Sequence, residues 1–330
     1  MSEIWAAAIH AFGEAPRPLA VPAPAPTADT VPIEVHAASF NPVDRLITSG
    51  SWYGGNPELP AIPGREGVGV VQADRGEWKA GDRVYFRTPA WEPGSMAQTV
   101  NAALPSLIRV PADLESTAAA AVGFAGTTAS LALLERGGMA PAETVVVLGS
   151  TGAVGRCAVQ IALRHGARRV VAVSRTGAAD FAALSEPEAD RVVPVALAGD
   201  DSGLGLHQRI LEAAGAPVDL VVDLLWGTPA HATLSTLGAG GRLVNVGSSA
   251  GAELSLRSET LRSKPAEVRG HTAVYYAPEV FNAHCTSVFE LASQGALSLP
   301  TEIYRLDDVT EAWDRMDRSP RVKVVVTFDR

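Results

Sequence analysis

The chain has 330 residues, room for about two domains at roughly 100–200 residues each. Hydrophobic side chains make up 47% and charged ones 19%, so a large core can be buried and global disorder is excluded. The 36 acidic and 27 basic side chains leave a formal net charge of -9, which argues against the basic face a nucleic-acid partner would need. Cysteine occurs only at Cys157 and Cys285, which excludes a disulfide scaffold and any zinc site with three or four cysteines.

Ile4 to His10 reads as a strand. The proline-crowded stretch from Ala15 to Thr30 reads as a stiff surface turn, because proline lacks the donor a ladder needs. Val31 to Ala38 is a strand, and Pro42 to Gly64 a long irregular region. Val68 to Gln72 and Arg83 to Arg87 are further strands. Leu114 to Leu134 has a helical period with a break expected near Gly123 and Gly126. From Thr144 onward, apolar strands (Val145 to Leu148, Val170 to Val173, Val218 to Asp223, Arg242 to Val246) alternate with helices at Val154 to His165 and Thr228 to Leu237. That alternation predicts a parallel sheet covered on both faces. Helices at Val280 to Gln294 and Asp307 to Asp317 and a strand at Lys323 to Phe328 complete the chain. No run of about 18–20 consecutive apolar residues is present, so no membrane span is expected. Met1 to His10 lacks the marks of a secretory signal, and a cytoplasmic protein is the expectation.

The most informative stretch is VVVLGSTGAVGRCAVQIALRHG, Val145 to Gly166. Gly149, Gly152 and Gly155 follow a strand and open a helix, a close variant of the dinucleotide-binding fingerprint. Glycine lets the backbone turn sharply and approach a pyrophosphate. Around Thr151 and Gly152, the free N–H groups expected from Ala153 and Val154 to Arg156 face that anion. The plain alternative is a strand–turn–helix with glycines for steric reasons only. At the end of the second strand stand Ser174 and Arg175, not the acidic residue that would bind the ribose hydroxyls of NAD. Arg175 can pair with a 2′-phosphate, so NADPH is the expected cofactor.

On these residues the chain resembles the medium-chain dehydrogenase/reductase superfamily, in its zinc-independent quinone oxidoreductase and enoyl reductase branch. The resemblance also rests on ASFNPVDRLITSG (Ala38–Gly50), LPAIPGREGVGVV (Leu59–Val71), KAGDRVYF (Lys79–Phe86), GTTA (Gly126–Ala129), VDLVVD (Val218–Asp223) and GAGGRLVNVGS (Gly238–Ser248). It implies an α/β fold: a Rossmann doubly wound parallel sheet inserted into a GroES-like β-rich domain. The corresponding segments are 1–118 and 279–330 for the GroES-like domain and 119–278 for the Rossmann domain, with the cofactor in a cleft between them. It implies a homodimer and a small-molecule substrate, with no nucleic-acid or membrane partner. Zinc-dependent relatives carry a cysteine where Asn41 stands and a histidine where Arg65 stands, so no metal is expected.

Hydride transfer to a quinone, or to the β-carbon of an α,β-unsaturated carbonyl, is the implied reaction. Asn41 matches the family position near the nicotinamide, where its amide can donate to the substrate oxygen or orient the cofactor; a turn-forming role before Pro42 is the alternative. Asp44 is expected to cap the following helix. Tyr53 is the candidate proton donor and Trp52 a stacking wall, with simple packing the alternative for both. Leu46 stands where some quinone reductases carry a tyrosine. Thr128 matches a family threonine near the cofactor, and Val246 and Gly247 are expected to border the nicotinamide. The region His271 to Tyr276 is placed in the pocket wall, with His271, Tyr275 and Tyr276 as candidate proton donors and Tyr275 against substrate; a surface or packing role is the alternative for each. Lys323 reads as a surface lysine or a contact to the cofactor phosphates. Two further readings stay open: a secondary-metabolite tailoring reductase, in which reduction triggers ring closure, and a non-catalytic NADPH-binding protein of the same fold.

Overall fold

The structure is a computed structural model; it describes residues 3–89, 92–177, 184–197, 204–318 and 321–328. The chain divides into two units, one comprising Met1–Phe124, Ala277–Gln294 and Leu299–Arg330, the other Ala125–Tyr276 and Gly295–Ser298.

The first unit is built on strands. In chain order it runs β1 (Glu3–Ala8), β2 (Arg17–Pro22), β3 (Thr30–Ser39), helix α1 (Pro42–Thr48), β4 (Glu66–Val71), β5 (Arg83–Arg87), β6 (Thr99–Ala103) and β7 (Ile108–Arg109), then enters α2 (Ser116–Ser130). The proline stretch is not only turn, because β2 pairs antiparallel with β1, setting Pro18 opposite Ala7 and Pro22 opposite Glu3. Two prolines four residues apart face the same way along a strand, and alternate residues of an antiparallel pair turn their N–H away from the partner. Ala7 shows this directly: its N–H donates to Met96 O at 2.8 Å, away from β2.

The expected break near Gly123 and Gly126 is absent, since α2 runs unbroken through both and continues as a π-helical stretch, Leu131–Arg136. A Cβ on Gly123 would sit 2.4 Å from the Tyr85 ring and 2.9 Å from Glu66 Oε2. Its glycine therefore serves close approach rather than a helix stop. The 21-residue helix Ser116–Arg136 is also long and apolar enough, by length and composition, to cross a bilayer. Counting consecutive apolar residues missed it because Thr127, Thr128 and Ser130 interrupt the run. Of its apolar window, 78% is buried inside the protein.

The second unit carries β8 (Thr144–Leu148), α3 (Ala153–Arg164), β9 (Arg169–Ser174), α4 (Glu186–Ala189), β10 (Val192–Ala196), α5 (Leu204–Ala214), β11 (Val218–Asp223), α6 (Gly227–Leu234), β12 (Leu237–Asn245), α7 (Ser258–Arg262) and β13 (Glu267–Gly270). Its six strands order as β10-β9-β8-β11-β12-β13, and every neighbouring pair is parallel. This is the doubly wound dinucleotide-binding order, in which the strand sequence reverses between β8 and β11. The buried faces of β8, β9 and β11 supply Val146, Leu148, Val171, Val173 and Val221 to a core closed by Leu206 and Ile210 of α5.

The chain then returns to the first unit with α8 (Pro278–Ser293), β14 (Thr301–Arg305), α9 (Val309–Arg318) and β15 (Lys323–Thr327). The seven-stranded sheet orders as β14-β15-β3-β4-β5-β7, with β6 also pairing β3. Its core joins Val31, Ile33, Val84 and Phe86 to Trp313, Val324 and Val326.

Candidate functional site

In the second unit the glycine turn is held by the end of β9, where Val173 O accepts the N–H groups of Gly149 (2.9 Å) and Ser150 (3.0 Å) and the Ser150 hydroxyl (3.1 Å). Each glycine answers to a different constraint. Gly149 has φ +85, a conformation that L side chains rarely adopt. A Cβ on Gly155 would lie 2.2 Å from Gly149 O, so the first turn of α3 can seat on the strand only without one. A Cβ on Gly152 would meet nothing nearer than Gly149 O at 3.5 Å. The space over Gly152 is open, and the α3 amide groups of Ala153, Val154 and Gly155 have no carbonyl one turn earlier within the helix. Arg156, counted in the sequence among the free donors, is already used: its N–H donates to Gly152 O at 2.8 Å. Among the described residues, three amides, not four, remain for an anion. Thr151 lies in the turn, and its carbonyl accepts Arg156 Nε at 3.1 Å.

Ser174 closes β9 with a buried hydroxyl that has no hydrogen-bond partner among the described residues. Arg175, the next residue, is exposed, and neither it nor Ser174 is acidic. A turn with an open glycine, amides unpartnered among the described residues and an exposed arginine at the next strand end suits a dinucleotide.

At the neighbouring strand ends, the buried Asp223 carboxylate accepts the N–H groups of Leu225 and Trp226, each at 2.9 Å, and Asn245 Nδ2 at 3.1 Å. Burial raises its pKa, with those bonds opposing. This pair shapes the crest of β11 and β12, and sequence reasoning missed it. The Asp223 carbonyl takes the N–H of Val246 (2.7 Å) and of Gly247 (3.2 Å), fixing the two residues expected beside the nicotinamide. Thr128 is buried with its hydroxyl unpartnered. The His271 ring lies against the Thr128 backbone and is held down to about 4, mainly by burial and then by Arg136. It is a neutral imidazole at neutral pH. Tyr276 Oη lies 3.4 Å from its Nδ1, whereas Tyr275 is 78% exposed.

In the first unit, Asn41 is the N-cap of α1 and is buried. Asp44 sits at the third helical position and caps from inside, its Oδ2 accepting the Asn41 N–H at 2.7 Å and its Oδ1 the Gly64 N–H at 3.2 Å. Burial pushes its carboxyl up to about 6, opposed first by the Asn41 bond and then by Arg65. The Asn41 carboxamide accepts Lys323 Nζ at 2.6 Å and donates to Glu66 Oε1 at 2.9 Å. Lys323 is therefore neither on the surface nor on a phosphate: it is 4% exposed on β15, 3.3 Å from Glu66. Its ammonium is compensated there by a carboxylate and a carbonyl oxygen, which makes its burial tolerable.

Trp52 packs on Ile47 and Val43 and is nearly buried, while Tyr53 beside it is 73% exposed, with ring centroids 5.5 Å apart. Trp52 is thus held by packing, and Tyr53 presents its ring to solvent. Leu46 is exposed. The donor set at the zinc-ligand positions does not suit that ion, being an amide committed to Lys323 and Glu66 and the Arg65 guanidinium, lowered to about 10 by burial. Among the described residues, no three His, Cys, Asp or Glu side chains converge as a metal-binding group.

Two family models match this chain: the alcohol dehydrogenase GroES-like domain over residues 27–144 and the zinc-binding dehydrogenase domain over residues 153–286. The human quinone oxidoreductase is 29% identical over 80% of this chain and 78% of its own length. That of Lama guanicoe is 30% identical over 79% and 76%. A mycobacterial protein solved in complex with NADPH superposes with a TM-score of 0.83 at 24% identity, covering 98% of this chain and 100% of that one. With the doubly wound sheet, the GroES-like matches and these relatives together, the chain belongs to the medium-chain dehydrogenase/reductase superfamily, in its quinone oxidoreductase branch.

Proposed function

We propose that this oxidoreductase uses NADPH to reduce a quinone or the β-carbon of an α,β-unsaturated carbonyl. The observation that carries the cofactor half is the strand end at Ser174–Arg175, which offers a buried hydroxyl, an exposed guanidinium and, among the described residues, no carboxylate. NADPH, when bound, supplies the hydride. The chain's own residues bind and polarise. The amides of Ala153 to Gly155 take the pyrophosphate, Arg175 the 2′-phosphate, and Thr128 with the Val246–Gly247 crest borders the nicotinamide. One Asn41 amide N–H has no partner among the described residues and donates to the substrate oxygen as negative charge develops there. Tyr53 hands a proton to the product, with Trp52 as the flat wall beside it. A quinone or enone suits such a site, because delocalisation carries the charge to an oxygen that a hydrogen-bond donor can stabilise.

Steady-state NADPH oxidation against 1,4-naphthoquinone and trans-2-hexenal tests this reading. Turnover with either, lowered about 100-fold in Asn41→Ala with cofactor affinity kept, is the expected result. No turnover across a broad acceptor panel, with NADPH bound, overturns it. Turnover restricted to large polycyclic enones would favour the tailoring-reductase reading. The homodimer and the cytoplasmic location belong to the same proposal, and light scattering on the purified chain checks the first.

A further inference from the structure

The Asn41 carboxamide is gripped by two residues remote in sequence. Lys323 Nζ donates to its Oδ1 at 2.6 Å, and its Nδ2 donates to Glu66 Oε1 at 2.9 Å. An ammonium has only donors and a carboxylate only acceptors, so just one of the two amide flips satisfies both neighbours. Glu66 is itself pinned. Its Oε1 also accepts the Ser39 hydroxyl at 2.5 Å, and its Oε2 accepts the Phe124 N–H at 2.7 Å. The Asn41 backbone is fixed by Asp44. Glu66 is fully buried, and Lys323 and Asn41 are nearly so.

As glue, this arrangement is a poor choice. The desolvation of a buried ion pair consumes most of its Coulombic gain, and apolar residues of similar volume would hold the sheet as well. What charge adds is direction. We propose that Lys323 and Glu66 are positioning residues that lock the Asn41 carboxamide in the flip presenting an N–H, not the carbonyl, to the substrate oxygen. In the opposite flip a carbonyl dipole would face the developing enolate and raise the barrier. The inference rests on the reading of Asn41 given above.

The test is a double-mutant cycle on NADPH-dependent reduction of whichever acceptor turns over, with NADPH affinity followed by fluorescence titration. Asn41→Ala is expected to lower kcat by about 100-fold, the scale of one lost oxyanion donor. Lys323→Met is expected to lower kcat by about 10-fold or more, with NADPH affinity unchanged, as a misplaced group does. In the Asn41→Ala background, Lys323→Met should bring no further loss, because no amide remains to orient. Multiplying losses, or an unchanged kcat in Lys323→Met, overturns the proposal. Full activity in Asn41→Ala instead overturns the reading beneath it, so the two failures are distinct. Should Lys323→Met not fold, the double variant Glu66→Gln/Lys323→Met removes both charges together and leaves no buried ion unpaired. Its kcat loss should likewise vanish in the Asn41→Ala background, and multiplying losses there overturn the proposal equally.

Discussion

Gly152 and Gly155 are three residues apart in one turn, yet alanine should cost stability at one and cofactor affinity at the other. A Cβ at 155 meets backbone at 2.2 Å and 2.8 Å, so Gly155→Ala should destabilise by about 1–3 kcal/mol through overpacking, read as a lower urea midpoint. Gly152 has ordinary φ and ψ, -75 and 166, and open space. Gly152→Ala should fold within about 0.5 kcal/mol of the parent and lose NADPH affinity, measured by titration. His271 gives a pH signature. Its imidazole titrates near 4 in the fold, against an ordinary 6.5. Between those values the unfolded chain holds the extra proton, so this contribution to stability falls as pH drops from 6.5 toward 4. Asp44 runs the other way, raised from 3.8 to about 6, and loses native stability as pH rises across that interval. Comparing urea midpoints of the parent and His271→Gln cancels Asp44. The parent's advantage should shrink as pH falls, and a constant difference would refute the assignment. The glycines were legible because local backbone chemistry dictates them. Lys323 and Glu66 were not, because a charged residue reads as solvated until a fold brings partners from 257 residues away.

At the scale of elements, the parallel strands of the second unit were readable because both faces are buried and the sequence runs apolar. The misreadings arose where tertiary contact overrode local preference. In β2, proline parity let a strand form. In α2, Gly123 resembled a helix break but is a seat for the Tyr85 ring. That seat makes a prediction against propensity. Alanine outranks glycine in a helix by about 1 kcal/mol, yet Gly123→Ala should be destabilising by about 1–3 kcal/mol through the clash, checked by thermal or urea unfolding. The Tyr85 hydroxyl beneath it is pushed well above 10 by burial, and the Glu66 charge adds to that. The Asp223–Asn245 pair on β11 and β12 was invisible for a related reason. Both are ordinary strand-end residues until parallel register sets them opposite each other.

For the molecule as a whole, cofactor selectivity should appear as linkage. Ligand that binds only the native state at about 100 times its Kd adds about 2.7 kcal/mol. NADPH should therefore raise the unfolding temperature more than equimolar NADH does, and Arg175→Ala should erase the difference; equal shifts in the parent would remove Arg175 from the phosphate site. The insertion of one unit in the other has a further consequence, for the order of events at the ribosome. β3 and its neighbour Asn41 are synthesised early, but the lysine that fixes the Asn41 amide comes 282 residues later, on a strand that must add beside β3. Translation delivers the entire second unit in the meantime. Until then the first unit lacks β14 and β15, and Glu66 lacks its lysine partner. Adding β15 also brings the lysine that orients the proposed donor, so a nascent chain stalled before β15 should carry a formed cofactor turn and an unoriented Asn41 amide.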